Sequence, residues 1–258
     1  CGGHGVKDGA PRSGSAAIRN LPPDATPIPE PKSRYGNGPV YEVFGESYRV
    51  MNNSAGYRER GVASWYGTKF HGNLTSMREP YDMYAMTAAH KTLPLPTYVR
   101  VRNLRNNKSV VVRVNDRGPF AHNRIIDLSY SAALKLGMVR DGTTMVEVEA
   151  ISFDEPHGDQ PVRKTISPAT PAQPEPEPEI ENRIFAQIGA FGDSANAARR
   201  LAALRSAGIG TGFVVEDTST SPTLYRVRVG PIRDVAQYDL LVEELEKLGI
   251  ADPYLVTE

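Results

Sequence analysis

The segment VRVNDRGPF, which ends at Phe120, places a carboxylate at the end of a predicted strand. Val110, Val112 and Val114 alternate with less apolar residues, and the run stops at a Gly-Pro turn. Because side chains alternate between the two faces of a strand, Asp116 shares the valine stripe and points inward or to a mouth of the fold. A carboxyl group there could donate or accept a proton. Asp before Gly-Pro is also common turn chemistry, so a purely structural role remains open.

Aromatic residues supply a second candidate group, and the histidines do not. Trp65 and Tyr66 have amphipathic rings that suit the faces of sugars, although Trp65, the only tryptophan, could equally belong to the core. His71, His90 and His122 lack the regular spacing and the cysteine partners of a zinc site. The sequence therefore predicts neither a metal nor another cofactor.

Composition limits the kinds of partner. The 258 residues carry 30 acidic and 30 basic side chains, so no overall charge recruits nucleic acid or an anionic membrane. One cysteine cannot form a disulfide framework, and no apolar run approaches the length of a membrane span. That cysteine is Cys1, followed by a glycine-rich stretch, as in mature bacterial lipoproteins whose first cysteine carries the lipid. A truncated chain would explain the same beginning.

Proline and glycine divide the chain into folded units and linkers. Residues 1–33 are rich in Gly, Ser and Pro and predict a flexible tether. Residues 34–57 carry aromatic and β-branched residues that could dock on the next domain. Residues 58–153 combine short strand patterns with one helical pattern, SYSAALKLG, and indicate a small, mostly β domain. The Pro-Glu alternation of residues 154–181 predicts a stiff, extended, disordered linker.

Residues 182–258 follow the order βαββαβ, which predicts a ferredoxin-like sheet with both helices on one face. Alternation directs Ile184, Ala186 and Ile188 towards the helices. The open face would carry an aromatic ring, an amide and two guanidinium groups, from Phe185, Gln187, Arg226 and Arg228. Such groups can hydrogen-bond and stack on sugars, although a merely solvated sheet face has the same composition. RNA-binding sheets also present aromatics, but this chain is not basic.

Several separate motifs resemble the rare lipoprotein A family, which are double-psi β-barrel proteins of the bacterial envelope. SWYG, TAAH, LPLP, NDRGPF and RIIDLS occur in the family's order. FAQIGAF and YRVRVGP resemble the sporulation-related repeat, or SPOR domain. The resemblance implies a six-stranded double-psi β-barrel joined by the proline-rich linker to a ferredoxin-like SPOR domain.

The resemblance also implies an activity, that of a lytic transglycosylase. Such an enzyme cleaves the β-1,4 bond between N-acetylmuramic acid and N-acetylglucosamine in peptidoglycan and leaves a 1,6-anhydro end. Asp116 matches the acid/base of the family and Glu79 the charge stabiliser or second acid. His90 matches a third polar position and could hydrogen-bond a carboxyl or a sugar hydroxyl, or be a structural histidine. The predicted substrate-binding residues of the barrel are Trp65, Tyr66, Asn115 and Arg117.

Arg78 departs from the family's pattern, in which a glycine often precedes the glutamate. The sequence therefore predicts a turn at residues 75–79 that does not depend on glycine, with a cation beside Glu79. Asp127 precedes Ser129 and a short helix, where a capping role is favoured.

Partners and location follow from the same resemblance. A SPOR domain implies binding to glycan strands stripped of peptides, and a role in cell division or separation. A lipid on Cys1 would anchor the protein, with Gly2 favouring the outer membrane, facing the periplasm, and division-site proteins as possible partners. No nucleic acid is expected. Two alternatives stay open: a non-catalytic peptidoglycan-binding division lipoprotein, and a hydrolase that uses two carboxyls and a water.

Overall fold

A computed structural model describes residues 9–11, 21–153, 182–251 and 253–258. Cys1 and the predicted linker 154–181 lie outside the described residues. The strands and helices are β1 (Val40–Val43), β2 (Glu46–Arg49), β3 (Arg58–Tyr66), β4 (Thr87–His90), β5 (Thr97–Asn103), β6 (Ser109–Asp116), β7 (Ile126–Ser129), α1 (Tyr130–Leu136), β8 (Thr144–Ala150), β9 (Ile184–Phe191), α2 (Ser194–Ser206), β10 (Gly212–Asp217), β11 (Leu224–Ile232), α3 (Val235–Lys247) and β12 (Tyr254–Thr257). In these parts of the chain, no helix is long and apolar enough to cross a membrane.

Strands β3 to β8 close into the six-stranded barrel that the family motifs implied, in the order β3-β7-β4-β6-β5-β8. The β3–β7 and β4–β6 pairs are parallel, and the other neighbouring pairs are antiparallel. The valines of the β6 stripe are buried in the barrel core, as their alternation predicted. Since parallel β4 and β6 end at the same edge, TAAH and NDRG finish side by side, with Ala89 paired to Asp116.

Helix α1 begins directly after β7, which starts at this edge and runs antiparallel to β4. Ser129 is its N-cap: the hydroxyl accepts a hydrogen bond from the Ala132 N–H at 3.3 Å and donates to the Ala85 carbonyl at 2.6 Å. Asp127, which the sequence placed near the cap, lies in β7 and accepts a hydrogen bond from Ser64. The cap is therefore the serine, and the carboxylate joins β7 to β3.

The segment before the barrel lies against it. Residues 22–33, here called the strap, lie beside β6, where the Ala25 N–H donates to the Val111 carbonyl at 3.0 Å. Strand β4 pairs with β6 only from Arg113 onward, which leaves Val111 available to the strap. The tether expected through residue 33 is therefore shorter than predicted. Backbone hydrogen bonds hold this proline-rich stretch, which composition alone marks as extended and solvated.

The C-terminal domain has the predicted order βαββαβ, with strands in the order β10-β11-β9-β12 and all pairs antiparallel. Ile184 and Ala186 are buried with the helices, and Ile188 packs against the same cluster. Asp193 caps α2 by accepting a hydrogen bond from Ala195, and Gly208, at φ 87°, follows the last turn. These features confirm the sequence prediction for this domain.

The C-terminal domain contacts the barrel through α3 and β12. The Arg124 guanidinium forms two hydrogen bonds with the Asp239 carboxylate, at 3.0 and 2.9 Å, and Asn123 adds a third at 2.7 Å. Arg60 Nη1 donates to the Leu255 carbonyl at 3.1 Å. Both β3 and the loop before β7 thus bind the second domain.

Candidate active site

Asp116 lies half-buried at the end of β6, and one of its carboxylate oxygens accepts three hydrogen bonds from the protein. Its Oδ1 accepts hydrogen bonds from the Ser76 N–H at 2.7 Å, the Ser76 hydroxyl at 2.7 Å and the Arg117 N–H at 2.8 Å. Within the described residues, Oδ2 accepts no hydrogen bond. The carboxylate is thus fixed in orientation, with Oδ2 left for another molecule.

Glu79 is held by the other face of the same strand. Arg113 Nη1 donates to Glu79 Oε2 at 2.9 Å and Nη2 to Oε1 at 3.3 Å, while Asn115 Nδ2 donates to Oε2 at 3.2 Å. The Glu79 side chain remains 40% exposed. Both candidate carboxylates are therefore fastened to β6 and to the short turn that carries Ser76 and Glu79.

Arg113 also binds a carboxylate that the sequence did not single out. Its Nε and Nη2 donate to the two oxygens of Glu30 in the strap, both at 2.8 Å. Hydrogen bonds with Arg113 lower the pKa of Glu30, and those with Glu30 and Glu79 raise the pKa of Arg113. One guanidinium thus bridges the strap to Glu79.

The structure corrects the prediction that Arg78 provides the cation beside Glu79. Arg78 has φ 67°, in the left-handed region that favours glycine, so the turn has a backbone geometry that glycine would adopt with less strain. Its guanidinium lies 5.0 Å from the ring centroid of Tyr35. The cation that pairs with Glu79 is Arg113, which a local view of the sequence could not reveal.

His90 is buried, and both of its ring nitrogens are used inside the protein. Nδ1 accepts from the N–H groups of Thr92 at 3.2 Å and Leu93 at 3.1 Å, so Nε2 carries the proton and donates to the Tyr57 hydroxyl at 2.7 Å. Burial, with the nearby positive charges of Arg117 and Lys91, lowers the pKa of His90 to about 3. Among the described residues no hydrogen bond joins His90 to Glu79 or Asp116. This is the arrangement expected of a structural histidine.

Arg117 and Asn115 are also committed to the protein. The Arg117 guanidinium donates to the carbonyls of Gly36 at 2.9 Å, His90 at 3.1 Å and Leu93 at 2.6 Å. Asn115 is 5% exposed and uses its amide N–H on Glu79. Both predicted substrate-binding residues therefore support the site, Arg117 by joining loops and Asn115 by positioning Glu79.

Trp65 and Tyr66 pack beside the site. Trp65 is half-buried, 5.5 Å from the ring of Tyr130, and Tyr66 is 8% exposed and stacks on Tyr81 at 4.0 Å. Burial raises the pKa of Tyr66, and the charges of Tyr81, Asp116 and Asp127 raise it further. Tyr66 therefore belongs to the core near Asp116 and presents little free surface, whereas Trp65 is only partly covered.

The predicted binding residues of the C-terminal domain occupy the sheet face opposite the helices. Gln187 and Arg228 are neighbours in the β9–β11 register, and Arg228 pairs with Glu258. Arg226 donates two hydrogen bonds to Asp217, at 2.8 and 2.6 Å. Hydrogen bonds from Ser219 and Arg226 lower the pKa of Asp217 to about 2.

Phe185 requires a correction. It points away from the helices, as alternation predicted, but it is only 5% exposed because the Phe213 ring lies 5.5 Å away in an edge-on arrangement. Its ring cannot stack on a ligand while that packing is kept. The polar groups of this face therefore remain the candidates for binding.

Sequence reasoning missed Ser76, Arg113 and Glu30. Ser76 lies in the turn at residues 75–79, three residues before Glu79, and that proximity to a candidate carboxylate was a signal that could have been used. Among the described residues no group of His, Cys, Asp and Glu side chains is arranged to hold a metal ion.

Comparison with known proteins agrees with the geometry in both domains. A family described as "Lytic transglycolase" matches residues 58–148, and the family "SPOR domain" matches residues 181–257. A Vibrio cholerae protein named "Endolytic peptidoglycan transglycosylase RlpA" is 43% identical over 91% of this chain and 82% of its own length. The chain belongs to the RlpA family.

Other RlpA proteins support the assignment. A Pseudomonas aeruginosa protein of the same name is 37% identical over 91% of this chain and 80% of its own length. One from Neisseria meningitidis is 60% identical over 111 residues, which are 43% of this chain and 46% of that protein. The resemblance drawn from the motifs is thereby confirmed.

Proposed function

We propose that this chain is a lytic transglycosylase of peptidoglycan that cleaves the β-1,4 bond between N-acetylmuramic acid and N-acetylglucosamine. The observation that carries the proposal is the Asp116 carboxylate, anchored through Oδ1 alone at the edge where β4 and β6 end. Membership of the RlpA family, whose relatives bear that activity in their names, supplies the substrate class.

Asp116 acts as the acid and then as the base. Its protonated carboxyl donates to the leaving glycosidic oxygen as the bond from muramic C1 to that oxygen breaks. The muramic C6 hydroxyl closes on C1 to form the 1,6-anhydro ring, and its proton returns to Asp116. Water takes no part, and the carboxyl is regenerated.

Glu79 stabilises the positive charge that develops at C1. Its carboxylate is negative and partly exposed, and Arg113 and Asn115 hold it in place. Positioned charge of this kind lowers the barrier without rearrangement during the reaction. His90 contributes by fixing the loop after β4, since its ring accepts from the backbone there.

The C-terminal domain holds the enzyme on glycan strands stripped of peptides. Gln187, Arg226 and Arg228 provide an amide and two guanidinium groups on one sheet face, which suit sugar hydroxyls and muramyl carboxylates. The match to the SPOR family supports this role. We further propose that the protein acts in the bacterial envelope, anchored to the outer membrane and concentrated at division sites. The lipid on Cys1 and division-site partners stay predictions of the sequence.

The test is digestion of peptide-free glycan in heavy-oxygen water, followed by mass spectrometry of the new strand ends. Unlabelled 1,6-anhydro ends are expected. Heavy oxygen in reducing ends would establish a hydrolase instead. No release by the wild-type protein, with binding intact, would favour the non-catalytic alternative. Asp116→Asn serves as the inactive control, with a loss of at least about a hundredfold.

A further inference from the structure

The hairpin β1–β2 ends in an aromatic side chain that is almost fully in solvent. Phe44 is 91% exposed, and it occupies the turn together with Gly45. The two residues have φ 53° and φ 83°, the geometry of a turn that prefers Asn-Gly. An exposed phenylalanine in a left-handed conformation is disfavoured on both counts. Neither solvent exposure nor the turn geometry therefore accounts for a phenylalanine at this position.

Phe44 belongs to a group of four rings. Its centroid is 6.4 Å from Phe120, which lies 5.6 Å from Tyr48 and 6.3 Å from Tyr41. Tyr41 and Tyr48 stack across the hairpin at 5.3 Å. We call these four rings the aromatic platform. Phe120, Tyr41 and Tyr48 are half-buried, so the platform has a packed base and a free outer ring.

The aromatic platform is continuous with the candidate active site. Phe120 follows Asp116 by four residues, and the Arg117 guanidinium lies 5.7 Å from the Tyr41 centroid. The Tyr41 hydroxyl donates to the Lys91 carbonyl at 2.8 Å, directly after β4. The rings thus border the edge where the strands that carry the site end.

Charge around the turn discriminates between the two sugars of the glycan. Glu46 pairs with Val43, so it shares the hairpin face of Tyr41 and Tyr48 and is exposed, whereas Glu42 lies on the opposite face. The exposed Glu46 carboxylate disfavours a muramyl sugar whose lactyl carboxylate is free, as it is in peptide-free strands. N-acetylglucosamine carries no charge, and its apolar ring face suits an aromatic surface.

We propose that the aromatic platform is a binding subsite for an N-acetylglucosamine ring of the strand that reaches Asp116, with Phe44 as the stacking residue. The identity of the strand rests on the proposed function. The subsite deepens that function, because it selects the neutral sugar and so fixes the register of the alternating strand at the reacting bond.

The experiment uses the full chain and an N-acetylglucosamine hexamer, which has no muramic sugar and so reports binding without cleavage. Phe44→Asn is expected to weaken hexamer binding about fivefold to tenfold in calorimetric titration. Asn suits the turn, so thermal unfolding should not occur at a lower temperature. Phe44→Trp should bind at least as tightly as wild type. Phe153→Ala, which removes another exposed phenylalanine, should bind normally.

Turnover of peptide-free glycan gives a second readout, in which Phe44→Asn raises KM and leaves kcat nearly unchanged. Equal hexamer affinity in wild type and Phe44→Asn would overturn the subsite. If Phe44→Asn abolishes attachment to phosphatidylglycerol vesicles but leaves hexamer binding unchanged, the ring contacts a lipid surface and the subsite is overturned. A chain that cuts no glycan but binds the hexamer through Phe44 would refute the proposed activity and support the subsite.

Discussion

The orientation of the Asp116 carboxylate depends on one small residue, Ser76. Its backbone N–H and its hydroxyl provide two of the three hydrogen bonds to Oδ1. We expect Ser76→Ala to lower kcat about tenfold with little change in KM, because one donor of roughly 1.5 kcal/mol is lost while the backbone donor stays. Steady-state kinetics on peptide-free glycan checks this. Ser76→Gly should behave in the same way, and an unchanged kcat in both variants would contradict the role.

Arg78 offers a test of backbone conformation separate from chemistry. At φ 67° any residue with a Cβ is strained by about 1 kcal/mol, whereas glycine is not. Arg78→Gly and Arg78→Ala both lose the contact with Tyr35, so the comparison between them isolates the strain. We expect the glycine variant to be more stable than the alanine variant by about 1 kcal/mol in chemical denaturation. Equal stabilities would show that the turn relaxes.

His90 makes the stability of the barrel depend on pH. Its pKa is about 3 in the folded chain, against an ordinary value of 6.5, so the unfolded chain binds the extra proton between those two values. Stability is therefore complete above pH 6.5 and falls as the pH decreases towards 3. We expect wild type to lose roughly 1.4 kcal/mol per pH unit more than His90→Asn within this window. Denaturant unfolding from pH 7 to pH 4 measures it, and parallel curves would be contrary evidence.

At the scale of the elements, the strap contacts the site from outside the barrel. Glu30 takes two hydrogen bonds from Arg113 and one from the Tyr98 hydroxyl at 2.7 Å. We expect Glu30→Gln to cost about 2 kcal/mol in unfolding free energy, because a largely buried charge-assisted pair is lost. Turnover should also fall, because Arg113 would no longer be held in the position from which it orients Glu79.

The matched control is Tyr98→Phe, which removes a neutral donor to the same carboxylate. Its cost should be about 1 kcal/mol, and turnover should be retained. If Glu30→Gln leaves both stability and turnover unchanged, the strap lies beside the site without acting on it.

Local patterns predicted those elements whose signals are local. The alternation of β6 identified its buried stripe and the direction of Asp116, and the βαββαβ order followed from helix and strand periods. The alternation of strand β7 is too short to predict it, because the strand has four residues and a carboxylate among them. The family resemblance, and not the pattern, supplied the sixth strand of the barrel.

Long-range partners could not be predicted from the sequence. Glu30 and Arg113 are 83 residues apart, and the proline-rich composition around Glu30 is typical of solvated tethers. Phe185 lies on the side of the sheet that alternation predicted, but no local pattern in the sequence indicates that Phe213 covers it. Contacts of this kind depend on the assembled fold.

At the scale of the whole molecule, the ion pair between Arg124 and Asp239 joins the barrel to the second domain. The two side chains are 16% and 30% exposed, so solvent screens the pair only in part. We expect Asp239→Ala to weaken the coupling by about 1 to 2 kcal/mol and to separate one thermal transition into two. Scanning calorimetry of the full chain provides the measurement.

Glu243→Ala is the control for this experiment. Glu243 is exposed on the same helix, and its replacement removes the same charge. It should leave the thermal profile of wild type unchanged. An identical profile for Asp239→Ala would show that the two domains unfold together for another reason.

The guanidinium of Arg117 joins Gly36, ahead of the barrel, to the backbone after β4. The family match to the barrel, by contrast, begins only at residue 58. A graft of residues 58–148 into another protein would carry Asp116 and Glu79 but leave behind Glu30 and Phe44. The portable unit of this enzyme, in domain shuffling or in protein engineering, therefore has to start near residue 22, well before the boundary that sequence similarity marks.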